Sequence, residues 1–258
     1  MINYDIALHQ FELFILILMR MASFIFAAPF FNTANVPQKF KAGLAIVTSI
    51  LVFELYPNLD IAYTGTFEYT AIVLKEVIVG LLLGVMTSFC VQIIHFAGKV
   101  IDLEIGLSMA SIFDPTTKSQ VGLMGNFYYY ILMLLLIISG LHQYLITAII
   151  DTYKVIPIDG VKFSMSVYNT TFKFISDYFI IGFRIALPVF ASIILLNCIL
   201  GILARIAPQM NMFVVGMQLK IFVGIFVIFF TIRMLPAVSN FIFEEIKDLF
   251  SLLVRGMS

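Results

Sequence analysis

The residues of this chain with the richest chemistry are three histidines, His9, His95 and His142, and two cysteines, Cys90 and Cys198. Their spacing supports no catalysis. The histidines are far apart in sequence, the cysteines sit singly inside apolar runs, and no zinc-ligand spacing or disulfide framework is present. No nucleophile elbow, phosphate loop or Ser/His/Asp setting occurs. Asp114-Pro115 is a turn signal, not a catalytic dyad. The sequence therefore predicts no enzyme, no cofactor and no resident metal.

The charged residues are more informative, because several interrupt apolar stretches. Arg20 lies inside a run from Leu13 to Phe31. A charge within such a segment faces protein or a water-filled cavity. Lys75 and Glu76 open a charge-free run over 77–94. Neighbouring helical positions point about 100° apart, so these two should find separate partners: solvent, a neighbouring segment or an adjacent subunit. Gly80 and Gly84 follow as a GxxxG, which permits close helix approach.

The rest of the chain must position these groups in lipid. Of 258 residues, 62% are hydrophobic and 12% charged, against roughly 45–50% and 25% in an average soluble domain. Fifteen Lys+Arg balance fifteen Asp+Glu, which excludes a disordered chain and a nucleic-acid binder working through a basic field. The class is an all-α integral membrane protein, one domain over 1–258, with about six hydrophobic and partly broken helical segments forming hairpins. Runs 77–94, 127–150 and 185–204 read as ordinary spans. Those at 13–31, 42–53 and 221–232 are interrupted or short, which predicts burial against protein rather than lipid. Lys and Arg numbers on the two alternating sides are six against five, so no positive-inside bias sets an orientation. No removable signal peptide is expected, since Asp5 and Glu12 occupy the would-be basic region.

Two connecting segments are unusual. From Ile101 to Met109 apolar and other residues alternate, which favours an extended or irregular chain over a helix. A polar turn, Asp114 to Gln120, follows, then Gly122 and Gly125. The stretch Gly201 to Gly216 contains Pro208, which breaks the helix before it and frees backbone carbonyls. Arg205, Gln209 and Asn211 are suited to bond such carbonyls. Residues 151–177 are the most water-like and read as an external loop. Residues 239–258 read as an amphipathic helix end with Phe241, Phe243, Leu249 and Leu252 on its apolar side.

These features together carry a resemblance. Val36-Pro37-Gln38-Lys39, Lys75-Glu76 with Gly80 and Gly84, Gly98, Asp102 and Gly106, Asp114-Pro115 with Ser119, Gly140 and His142, and Pro188 all contribute. The most specific element is Ala-Arg-x-x-Pro-Gln-Met-Asn-x-Phe, containing Arg205, Pro208, Gln209 and Asn211 and followed by Lys220. Over roughly residues 10–240 the chain resembles the FliR family of flagellar type III export-gate proteins and their injectisome counterparts. One departure is Gln218, where the family commonly has a second proline before Lys220.

The resemblance implies a single FliR-type copy assembled with FliP and FliQ, with FlhB wrapped around the cytoplasmic side. The setting would be the inner membrane at the flagellar basal body. The loop at about 106–122 would be a plug in a channel for unfolded export substrates, with Gly106, Leu107, Met109, Ile112, Phe113, Asp114 and Pro115 as gating residues. Arg20, Lys75, Glu76, Arg205, Pro208, Gln209, Asn211 and Lys220 would serve assembly. Independently, the interrupted helices are expected to leave Arg20, Glu54, Lys220 and Arg233 at sites that only partner subunits satisfy. The alternatives are the homologous injectisome subunit and an ion-coupled secondary transporter using Lys75, Glu76 and Asp102. A transporter calls for two related halves, and no internal repeat is visible in the sequence.

Overall fold

The computed structural model describes residues 4–33, 36–57, 61, 63, 65–107, 122–209 and 211–258, with side chains from residue 8 onward. Among these residues the chain is helical and has no strand: α1 Tyr4–Ala27, α2 Gln38–Leu55, α3 Thr66–Ile105, α4 Leu123–Ile138, α5 Leu141–Val155, α6 Met165–Ile206, α7 Met212–Thr231 and α8 Leu235–Met257. A single 3-10 turn, Ile232–Met234, separates the last two.

Prolines and glycines set the boundaries. Pro29, two residues beyond α1, has no N–H to continue the ladder. Pro37 stands at the N-cap of α2 with φ −59°, already suited to a first helical turn. Tyr56, ahead of Pro57, is pushed out of the helical region, and α2 stops there. Ala207 precedes Pro208 in the same way and closes α6.

Four described helices are long and apolar enough to cross a membrane, or five spans if the bent pair α4 and α5 is taken as one. Several sequence expectations change. The predicted span 127–150 is broken: α4 ends at Ile138, and Gly140 takes φ +80° ahead of α5, a conformation that only glycine adopts without strain. Runs 77–94 and 185–204 lie inside much longer helices of 40 and 42 residues, about 60 Å each, roughly twice a hydrocarbon core. The short runs are also longer than the charges suggested. α2 has 18 residues and α7 has 20, with Lys220 inside α7, because a long lysine stem can leave its helix toward water without ending it. Ile101–Ile105 continues α3, so the alternation there does not mark extended chain. The water-like stretch 151–177 is largely helical, with α5 running to Val155 and α6 starting at Met165. α8 is the expected amphipathic helix, but its buried stripe is Ile242, Ile246, Leu249, Phe250 and Leu253, while Phe241 and Leu252 are exposed.

The chain forms two compact units. The first comprises Met1–Cys90, Gly140–Phe174 and Glu244–Ser258. In it α1 packs antiparallel to α2, with Phe14 edge-on to Phe53 and Lys41 over the Phe26 ring. α1 runs parallel to α3 and antiparallel to α5, and Phe24 meets Phe250 of α8. Leu16, Ile17, Met21, Leu83, Leu145 and Ile246 make its core. The amides of Lys162 and Ser164 donate to the carbonyls of Met257 and Gly256, fastening the end of α8. The second unit comprises Val91–Ser139 and Ile175–Phe243. There Phe96 collects Tyr178, Phe179 and Phe183 around it, and Gly182 leaves room for its ring.

Candidate functional site

Arg20 is completely buried, and every part of its fork is used. Its Nε and Nη2 donate to the two carboxylate oxygens of Glu76, the second at 3.0 Å. Its Nη1 donates to Thr152 Oγ1 at 3.2 Å and to the Ile156 carbonyl at 3.1 Å. The guanidinium carbon stands 4.2 Å from the centre of the Tyr153 ring, an attractive cation–π geometry. Tyr153 in turn donates to the Ile17 carbonyl at 3.2 Å. One cation thus ties α1, α3 and α5 together. The expectation that only a partner subunit could satisfy Arg20 is corrected. A planar fork matches a carboxylate bidentately, and α3 presents that carboxylate in the same chain.

Glycines set the approach that makes this pair possible. A Cβ at Gly80 would come 2.1 Å from Ser23 Oγ and 2.2 Å from the Arg20 carbonyl oxygen. One at Gly84 would come 2.8 Å from Ala27 Cβ. The backbones of α1 and α3 are therefore in contact one turn beyond the ion pair, the use for which small-xxx-small spacing is suited. Lys75 faces elsewhere, as predicted, and pairs with Asp159 at 3.0 Å. Both side chains of that pair are more than a third exposed, so it contributes at most about 1 kcal/mol. Outside the spans, the Tyr63 hydroxyl donates to Glu12, and that bond pushes the Tyr63 pKa up.

The expected plug is framed at both ends. Asp102, 2% exposed on α3, accepts from the amides of Met124 and Gly125 at 3.0 and 3.1 Å. It thereby caps α4 from another helix, with a carboxylate at the positive end of the helix dipole. Gly122, at the N-cap position, has no side chain to do so. Gly98 lies against Gly125, whose Cα would be 2.2 Å from a Cβ there. Gly106 takes φ +88°, turning the chain sharply after α3, and Leu107 completes the turn. Met109, Ile112, Phe113, Asp114 and Pro115 lie outside the described residues. A cleft of about 220 Å³ opens beside Gly106, lined by Ile105, Leu200, Met212, Met217 and Lys220.

The polar turn at Pro208 is open. Arg205, Pro208, Gln209 and Asn211 are exposed. Among the described residues no side-chain hydrogen bond from Arg205, Gln209 or Asn211 reaches the freed carbonyls, and Asn211 precedes α7 without a side-chain cap. The local backbone closes itself instead, with Ala207 N donating to Leu203 O at 2.8 Å and Val215 N to Asn211 O at 3.2 Å.

Sequence reasoning missed Thr152, Tyr153 and Asp159, all inside the stretch read as a loop. The available signal was the helical spacing of Leu145, Ile149, Thr152, Tyr153 and Ile156, which continues the buried face of α5. Among the described residues no cluster of His, Cys, Asp and Glu could hold a metal ion.

Residues 11–246 match the family described as bacterial export proteins, family 1. The chain belongs to that family. It is 32% identical to the flagellar biosynthetic protein FliR of Bacillus subtilis over 257 residues, covering 96% of this chain and 93% of the relative. It is 29% identical to FliR of Escherichia coli over 243 residues, covering 93% and 91%. The surface presentation of antigens protein SpaR of Shigella flexneri is 28% identical over 218 residues, covering 81% of each chain. The resemblance carried by the Arg205–Asn211 stretch and the paired glycines is borne out over the length expected. This family-1 export protein is a helical membrane protein: long apolar helices make up most of the described chain.

Proposed function

We propose that this chain is a structural and gating subunit of the flagellar type III protein export gate, forming with FliP and FliQ a channel for unfolded flagellar proteins. The observation that carries the reading is the end-to-end similarity to flagellar biosynthetic proteins, above 90% coverage of both chains for two FliR relatives. The fold supports it. The apolar window of α3 is 56% buried within the chain, whereas that of α6 is 22% and that spanning α7 and α8 is 17%. Apolar helix surface this bare calls for lipid or other membrane subunits.

In this reading one copy joins FliP and FliQ, FlhB attaches from the cytoplasmic side, and the assembly sits in the inner membrane at the basal body. Residues 106–122 plug the channel. Lys75 and Glu76 position the helices, and the exposed Arg205, Pro208, Gln209 and Asn211, with Lys220, meet partner subunits. The test is deletion of the gene from its flagellated host. Export of flagellin and motility should be lost, and a tagged copy restoring both should carry FliP and FliQ through purification. Deletion strains with normal flagella would overturn the proposal.

SpaR similarity favours a second reading, an injectisome subunit. It predicts intact flagella and loss of effector secretion in the same deletion strain.

A further inference from the structure

The second unit contains a cleft of about 280 Å³ between α6, the α7–α8 junction and Tyr128 of α4, close to the lower end of ligand pockets, about 300 Å³. Ile181, Pro188, Val238 and Phe241 are among its apolar walls, and Arg184 enters it. No carboxylate lines it among the described residues. The hydroxyls of Tyr128 and Thr231, 3.1 Å apart, form its other polar spot. Arg184 is exposed and has no ion-pair partner among the described residues. Asp177, the nearest acid N-terminal to it on α6, lies two turns away, about 10 Å along the axis. Pro188 also lacks the N–H that would bond the Arg184 carbonyl.

The positions of the charges give this cleft a level in the membrane. Arg184 and Arg205 bracket a charge-free apolar run on α6. Its 20 residues rise about 30 Å, the thickness of a hydrocarbon core. Lys220 and Arg233 bracket the apolar run of α7 in the opposite sense. Gly216 abuts Leu200 near one end of this helix pair. At the other end Arg184 enters the cleft, and Arg233 stands in the 3-10 turn between Thr231 and Leu235, which both line it. The ends of both apolar runs therefore mark one edge of the apolar layer, and Arg184 stands there in an open, largely apolar groove.

We infer that this cleft binds an anionic phospholipid, its phosphate on Arg184 and one acyl chain along Ile181, Pro188 and Val238. The groove is too small for a whole lipid and suits a single chain. The guanidinium suits a phosphate, which it binds through a charge-assisted fork. A membrane is also the one surrounding that delivers both chemistries together at this depth.

The test uses the full chain, purified with whatever subunits accompany it and reconstituted in nanodiscs of phosphatidylcholine with phosphatidylglycerol. Retention of each lipid through delipidation is read by native mass spectrometry. Wild type should retain phosphatidylglycerol over phosphatidylcholine. Arg184→Gln should lower that retention about tenfold, the scale of a charged hydrogen bond. Ala237→Trp, which fills the groove and spares the Arg184 charge, should also lower it. Lys173→Gln, at an exposed lysine away from the cleft, should leave it unchanged. Equal retention of the two lipids by wild type would overturn the inference. So would full retention in Arg184→Gln, or retained lipid combined with loss of a co-purifying subunit, which would assign the cleft to a protein partner.

Discussion

Gly80 has no space for a side chain: a Cβ there would stand 2.2 Å from the carbonyl oxygen of Arg20. Backbone touches backbone at that point, one turn from the place where the Arg20 side chain reaches Glu76. The close approach and the ion pair therefore depend on one another. If α1 and α3 separate, the fork loses its carboxylate. If the fork is removed, a buried carboxylate is left facing apolar helices.

Gly80→Ala should lower the thermal stability of the purified chain or complex by about 1–3 kcal/mol, the range for overpacking. Gly43→Ala is the comparison. It adds a methyl group in α2 where nothing lies within 4 Å, so it should be neutral or gain roughly 0.5–1 kcal/mol from helix propensity. Equal stability of the two variants would contradict the crossing described here.

Arg20→Met and Glu76→Leu should each cost about 3–5 kcal/mol, because each strands a buried partner. The double variant Arg20→Met with Glu76→Leu removes both charges together and should recover much of that loss. Arg20→Lys should recover little, since an ammonium cannot serve Glu76, Thr152 and Ile156 in one plane. Thermal unfolding in detergent measures all four. Additive losses in the double variant would show that the two side chains act separately.

Arg205→Leu should give the opposite profile. Arg205 is exposed, so the isolated chain should unfold at the wild-type temperature, while recovery of the FliP and FliQ complex and motility fall sharply. A charged hydrogen bond to a subunit is worth about 1.5–3 kcal/mol. Arg205→Lys should rescue in part. Full motility with Arg205→Leu would remove this residue from the assembly surface.

Asp102→Ala should destabilise α4 by about 0.5–2 kcal/mol, the range for loss of a cap. Asp102→Asn should keep only part of the cap, since its single amide oxygen replaces one of the two carboxylate oxygens that accept from Met124 and Gly125. Hydrogen exchange of those two amides reads the effect directly, and unchanged protection in Asp102→Ala would contradict the cap.

Replacing residues 110–118 by a Gly/Ser segment of equal length should leave assembly intact but make cells leaky to small ions when the complex is overexpressed. Wild type at equal expression is the control. In the proposed plug, apolar closure would be held by burial at about 25 cal/mol per Å², and the replacement would remove it. A variant complex as tight as wild type in a conductance assay would reduce the segment to a connecting loop.

Much of this was legible in the sequence, and the gaps have physical causes. Gly80 and Gly84 showed a close crossing, but nothing in their spacing named Ser23 and Ala27 as its other side. Arg20 announced a buried charge. Its partner Glu76 stands 56 residues away, and pairing over that distance leaves no local pattern. The break after Ser139 was hidden because the run 127–150 contains no Asp, Glu, Lys or Arg, and the apolar stretches 131–138 and 145–150 outweigh the short Ser139-Gly140-Leu141-His142-Gln143 interruption between them. Lys220 misled in the other direction, ending on paper a helix that continues through it. At the candidate site Pro208 correctly marked the end of α6, while Arg205 lies in the last turn of that helix. Thr152 and Tyr153 were lost because two polar side chains and a nearby aspartate gave their helix the composition of a loop.

The Arg20 network also sets a timetable for the newborn chain. At about 5–20 residues per second of synthesis, Glu76 follows Arg20 by roughly 3–11 s. Thr152 and Ile156 come later still, 132 and 136 residues downstream. Throughout that interval α1 carries a bare guanidinium that costs about 2.5–3.5 kcal/mol to place at the centre of a bilayer. The helix must therefore wait at the insertion machinery or the membrane surface, and its final seating is a late, post-insertion event timed by the arrival of α3 and α5.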